Sequence, residues 1–269
     1  MIRHPIVAGR FYSKNPCRLG SELDSLLAGS EPGPAEKVLG IIAPHAGYIY
    51  SGMVAGAVYS KIEIPDAVII LGPNHTGVGS RAALYPRGEW VTPLGRAEIN
   101  SSLSGLIRAK SPMVEEDASA HQNEHSIEVH LPFLQHLNPN VTIVPLCLGF
   151  YDFTSCRSLG VALAHSIKEY GSRVLIVASS DMSHYESAVS ATRKDEMALG
   201  EVFELNPEGL LAVCRREAVS MCGVIPVAVM MVAALELGAT KVKLVKYATS
   251  GDVTGDSEEV VGYAALSVS

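Results

Sequence analysis

Positive charge is sparse in this chain and nowhere concentrated. Among 269 residues, 21 are Lys or Arg and 28 are Asp or Glu, a formal charge of −7, and adjacent pairs such as Arg215-Arg216 are as dense as basic side chains become. A nucleic-acid surface needs a basic patch, so that class of partner is excluded. Cysteine is scarce as well. Cys17, Cys147, Cys156, Cys214 and Cys222 are odd in number and form no CxxC pair, which argues against a disulfide scaffold and predicts a reduced, cytoplasmic protein. No apolar run reaches the roughly 20 residues that cross a bilayer. The longest, residues 224–235, is interrupted by Pro226 and predicts a buried helix, so no membrane role is expected. The first ten residues hold no apolar stretch of signal-peptide length. The sequence also lacks GxxxxGK[ST], GxGxxG and GxSxG, which removes the main support for nucleotide-binding and serine-hydrolase readings.

What is present is a large apolar inventory in a regular order. Hydrophobic residues make up 48% and charged residues 18%, enough for a sizeable core and unlike a disordered chain. Apolar runs at 38–43, 67–71, 141–148 and 173–178 read as buried strands, with shorter or later strands at 82–85, 241–248 and 260–267. Between them, 21–27, 52–61, 98–109, 126–137, 154–170, 190–204 and 207–216 read as helices, followed by the apolar helix near Gly223. Residues 30–37, with two prolines and a glycine, read as a loop. Alternating strands and helices predict a layered α/β architecture, a three-layer α/β/α sandwich with a mixed, largely parallel central sheet, in one domain over residues 1–269.

The chemistry-bearing residues follow the strand runs. His45 comes after 38–43, His75 after 67–71, and Asp181 and His184 after 173–178. Ligands in open α/β sheets bind beyond the carboxyl ends of the strands, so adjacent parallel strands would bring the two histidines together. Either histidine alone reads equally as a hydrogen-bonded loop residue. Cys222 precedes the apolar helix, where the helix dipole would lower a thiol pKa and favour the metal-binding thiolate; its alternative is a small buried hydrophobe. Asp181 and His184 are three residues apart, a spacing that puts both on one face of a helical turn. They would serve as a proton-carrying pair, Asp181 orienting His184, but spacing alone leaves Asp181 equally a helix cap. The densest polar stretch, residues 121–132, has no HExxH and is expected to line a cleft without forming a metal site of its own.

Six segments in order resemble a known family: Ala8-Gly9-Arg10-Phe11-Tyr12, Ala43-Pro44-His45-Ala46-Gly47-Tyr48, Leu71-Gly72-Pro73-Asn74-His75, Glu124-His125-Ser126-Ile127-Glu128-Val129-His130-Leu131-Pro132, Ser179-Ser180-Asp181-Met182-Ser183-His184 and Met221-Cys222-Gly223. Together they resemble the Memo family over nearly the whole chain. The resemblance implies a fold shared with class III extradiol ring-cleavage dioxygenases, which hold Fe(II) with two His and one Glu. By position, His45 and His75 match the histidine ligands, His184 matches the acid/base histidine, and Cys222 stands where the carboxylate ligand would be. A thiolate is softer than a carboxylate and favours copper or zinc, which argues against ring cleavage. The resemblance further implies a copper or iron ion, with zinc as a third choice, and oxidoreductase chemistry on a small molecule. The alternative is a non-catalytic cleft for a peptide or small anion. It also implies functional association with radical-SAM and AMMECR-type proteins.

Overall fold

A computed structural model describes residues 1–29 and 34–269; the first part of the loop expected at 30–37 lies outside the described residues. The strands at the centre of the sheet are short and largely apolar, the composition of strands covered on both faces, and the polar strand Gly95–Ile99 flanks them. Gly95–Ile99, Thr142–Leu148, Ala67–Pro73, Val174–Ser179 and Gly40–Ala43 lie side by side in that order, all parallel. Antiparallel strands extend both ends. Val260–Val268 pairs with Gly40–Ala43 and carries Val242–Thr249 and His184–Glu186. At the other end Glu89–Thr92 forms a hairpin with Gly95–Ile99. The result is a mixed, largely parallel sheet, as the alternation of runs predicts.

Strand residues alternate between faces, and the two faces have separate cores. Ile42, Ile69, Leu71, Val144, Leu146, Ile176 and Ala178 pack with helices Phe153–Tyr170 and Val224–Glu236. Ile41, Ala43, Val68, Ile70, Ile143, Leu175 and Val177 pack with Pro16–Ala28, Tyr48–Tyr59 and Leu131–Leu137. Two helical layers therefore enclose the sheet. Among the described residues no helix is long and apolar enough to cross a membrane.

The departures from the sequence reading have local causes. The helix expected at 98–109 is Ser101–Lys110, because Asn100 caps it by accepting from the Leu103 N–H at 3.0 Å; residues up to Ile99 belong to a strand. The first helix starts earlier than expected, at Pro16, where Asn15 caps it and proline suits the first turn. The helix expected at 126–137 begins with a 3₁₀ turn, Glu128–His130, and is α-helical only over Leu131–Leu137, with Pro132 confined to a first turn that needs no amide donor from it. One expectation about position is corrected. The strands leading to His45 and His75 are not neighbours: Val174–Ser179 lies between them.

Candidate metal centre

Three strands release polar residues at one edge. Gly40–Ala43 leads to His45, Val174–Ser179 to Asp181, and Ala67–Pro73 to His75. Each residue is then held by a different partner. The His45 backbone N–H donates to Asp181 Oδ1 at 2.8 Å, and its Nδ1 lies 2.7 Å from Ser179 Oγ. His75 donates its backbone N–H to Glu124 Oε2 at 2.7 Å, and its Nδ1 meets Glu124 Oε1 at 2.9 Å. The strand between the two histidines thus supplies Ser179 and Asp181 to hold His45.

A third imidazole completes the group. His125 stacks on His75 with ring centroids 5.0 Å apart and meets His45 edge-on at 5.5 Å. One ligand nitrogen from each of His45, His75 and His125 lies within 4.8 Å of the others, a separation that one metal ion can span after small adjustments. The polar stretch containing His125 was expected to line the cleft without supplying a metal site of its own; the structure brings His125 into the cluster itself. A signal was available. His121 to His125 has the order H-x-x-E-H of some zinc helices. The chain does not use it that way: the helix Ser119–Gln122 stops before Glu124, and His121 points Nε2 at the Ala83 carbonyl, 3.1 Å away.

The electrostatics favour neutral rings at His45 and His125 and the charged ring at His75. Burial, reinforced by the neighbouring histidines, holds His45 well below the usual histidine pKa. Burial also lowers His125, against the pull of Glu124. For His75 burial acts downward too, but the hydrogen bond and charge of Glu124, with Asp181, outweigh it and raise the pKa. Burial would raise Glu124, yet hydrogen bonds and charge from His75, with the Ser126 N–H, hold its carboxyl down to about 2. Glu124 is therefore a carboxylate, and a carboxylate can only accept from His75 Nδ1, so that the neutral ring, the form that binds metal, carries its lone pair on Nε2. The donor set fits a borderline or soft metal ion.

Cys222 lies beside this group. Its Sγ is 3.4 Å from His45 Nε2 and accepts the Asp181 N–H at 3.3 Å. It precedes the helix Val224–Glu236, and Gly223 between them has no room for a side chain: a Cβ there would fall 2.1 Å from the Ser179 carbonyl oxygen. The expected lowering of the thiol pKa is not found. Burial, then the nearby Asp181 charge, push it up, outweighing the helix dipole.

Asp181 and His184 are also placed differently from the helical-turn expectation. Asp181 is in irregular chain and His184 begins the strand His184–Glu186, while Ser187 caps the following helix. His184 takes its orientation from Ser220: its backbone N–H donates to Ser220 Oγ at 2.7 Å, and its Nδ1 lies 3.0 Å from the Ser220 carbonyl. Asp181 instead anchors His45, and burial pushes its carboxyl up to about 6 despite the His45 N–H. Both residues line a cavity of about 640 Å³ together with the three histidines, Arg10, Phe11 and Tyr185.

Comparison with known proteins agrees with the six segments. The family described as Memo-like protein matches residues 3–267. MEMO1 family proteins are similar along their whole lengths: one from Pyrobaculum arsenaticum is 42% identical over 276 residues, covering 98% of each chain, and one from Aquifex aeolicus is 43% identical over 266 residues, again 98% of each. One from Methanopyrus kandleri is 41% identical over 279 residues, covering 99% of this chain and 98% of that one. The crystal structure of an uncharacterized protein from Escherichia coli K12 superposes with a TM-score of 0.50 at 12% identity, over 85% of this chain and 99% of that chain, a likeness of fold alone.

Proposed function

The chain belongs to the Memo family, and from that premise we propose that it is a metal-dependent oxidoreductase with copper or iron at the histidine cluster. The observation that carries the reading is the convergence of His45, His75 and His125 on one point at the wall of the cavity. His45 and His75 would hold the ion, His125 offers a third imidazole, and Cys222, in contact with His45 Nε2, is the thiol donor that the family resemblance implies. When bound, the ion would supply electron transfer to or from a small molecule in the cavity; imidazole and thiolate favour copper or iron over magnesium or calcium.

The protein's own side chains do the rest. With Nδ1 turned to the Ser220 carbonyl, neutral His184 carries its lone pair on Nε2 and can take a proton from a ligand in the cavity. Asp181, its carboxyl pushed up by burial to about 6, faces the same space. Phe11 and Tyr185 give the cavity apolar surface.

A binding module is the second reading, favoured by one observation. Arg10 lines the cavity and its guanidinium has no hydrogen-bond partner among the described residues, which suits capture of a small anion or an acidic peptide without turnover. Oxygen consumption by metal-loaded protein, with a reductant or with catechols, separates the two. The oxidoreductase reading expects turnover that falls by about 10²–10⁴-fold in His184→Ala and persists in the surface variant Lys37→Ala. Ligand binding with intact metal and no turnover would establish the module.

A further inference from the structure

His130 belongs to the dense polar stretch of the sequence but lies outside the cluster of His45, His75 and His125. It is 1% exposed, and its ring lies between Tyr59 and Ser179: Nδ1 is 3.0 Å from the Tyr59 hydroxyl and Nε2 is 2.9 Å from Ser179 Oγ. The same Ser179 oxygen meets His45 Nδ1 at 2.7 Å and the Ser126 carbonyl oxygen at 2.8 Å. One hydroxyl therefore has three partners.

Counting protons fixes every role. A carbonyl oxygen only accepts, so the single Ser179 proton points to Ser126. The hydroxyl oxygen then has two lone pairs left for two imidazole nitrogens. Both contacts are hydrogen bonds only if His45 carries its proton on Nδ1 and His130 carries its proton on Nε2. The bare Nδ1 of His130 is then met by the Tyr59 O–H. Burial keeps that ring neutral, its pKa pushed down to about 3, and keeps the Tyr59 phenol protonated. Tyr59, Ser126, His130 and Ser179 are buried, and His45 is 2% exposed, so water does not compete for these contacts.

We propose that Ser179 is a positioning residue that sets the tautomers of His45 and His130 in opposite senses, leaving the His45 Nε2 lone pair free for the histidine cluster. Hydrogen bonds that fix the tautomer of a ligand histidine commonly come from a carboxylate or a carbonyl; Glu124 does this for His75. For His45 the role falls to a hydroxyl, and the hydroxyl can perform it only because the Ser126 carbonyl has already taken its proton. The tautomer assignment stands on the hydrogen-bond geometry; its consequence for affinity rests on the metal reading above.

The test is long-range ¹H–¹⁵N correlation of the histidine rings in the full-length, metal-free protein, followed by anaerobic titration with Cu(I). Wild type should show His45 as the Nδ1–H tautomer and His130 as the Nε2–H tautomer. Two rings of the same tautomer, or His45 protonated at Nε2, would overturn the proposal. In Ser179→Ala, His45 should lose its single tautomer and Cu(I) affinity should fall by about 10–100-fold; unchanged spectra and affinity would overturn it. Tyr59→Phe, which keeps the ring, separates Ser179 from Tyr59 and serves if the serine variant does not fold. Both tautomers should persist, and a change in either would assign the control to Tyr59. Wild-type tautomers as described with no Cu(I) bound would uphold the role of Ser179 and refute the metal reading.

Discussion

His75 and Glu124 are joined twice, backbone N–H to Oε2 at 2.7 Å and Nδ1 to Oε1 at 2.9 Å. The carboxylate also accepts the N–H groups of His125 and Ser126, at 2.9 and 2.8 Å. A single buried acid therefore orients one imidazole of the cluster and the backbone that carries another. Glu124→Gln keeps the shape but puts an NH₂ group where the carboxylate only accepted. Metal affinity should fall about 10–100-fold, read by competition with a chromogenic chelator. Wild-type affinity in this variant would show that Glu124 does not orient the site.

The N-terminal segment reaches the site through a second buried acid. Glu128 accepts from Arg3 Nη1 at 2.7 Å, from the Tyr12 hydroxyl at 2.7 Å and from the Ile6 and Val7 N–H groups. Phe11, within this segment, meets His125 edge-on at 5.0 Å. Removing one partner of a buried ion pair leaves an uncompensated charge, so Glu128→Ala should cost about 3–5 kcal/mol of stability. Tyr12→Phe, which removes one hydroxyl, should cost about 1 kcal/mol. Urea unfolding measures both, and equal losses would contradict the assignment of the charge to the Arg3 pair.

Asp195 gives stability a pH dependence away from the histidine cluster. It is buried, accepting from the Ser183 N–H at 2.9 Å and the Tyr247 hydroxyl at 2.8 Å, and burial raises its pKa against those hydrogen bonds. Because the folded pKa lies above the unfolded value, the favourable contribution of the neutral acid is complete below about pH 3.9 and is lost as pH rises through the folded pKa. The Tm of wild type minus that of Asp195→Asn should therefore decline as pH increases across that window. A flat difference would mean that Asp195 titrates alike in the folded and unfolded chains.

The parts of the fold legible in sequence were those with strong periodicity. The runs at 67–71, 141–148 and 173–178 became central strands because continuous apolar sequence suits a sheet covered on both faces. The hairpin Glu89–Thr92 and Gly95–Ile99 was not visible: its strands are short and mostly polar, and their pairing depends on neighbours remote in sequence. At the site, positions after strand ends located His45, His75 and Asp181. The stretch holding His125 was read as cleft lining, and its place in the cluster was not legible because it depends on Glu124 tying that segment to His75, 49 residues away in sequence. The rise in the Cys222 pKa was equally illegible, since the helix terminus is a sequence feature whereas burial beside Asp181 is a product of folding.

The central claim is that His45 belongs to a metal-binding group while His184 faces the ligand without holding the ion. Metal content after anaerobic loading with copper or iron and removal of excess tests it directly, in wild type, His45→Ala and His184→Ala. A ligand histidine is coupled steeply to metal binding, whereas a proton carrier beside the ion is not. Wild type and His184→Ala should retain about one ion per chain and His45→Ala should retain almost none. Equal retention by His45→Ala and wild type would contradict the account.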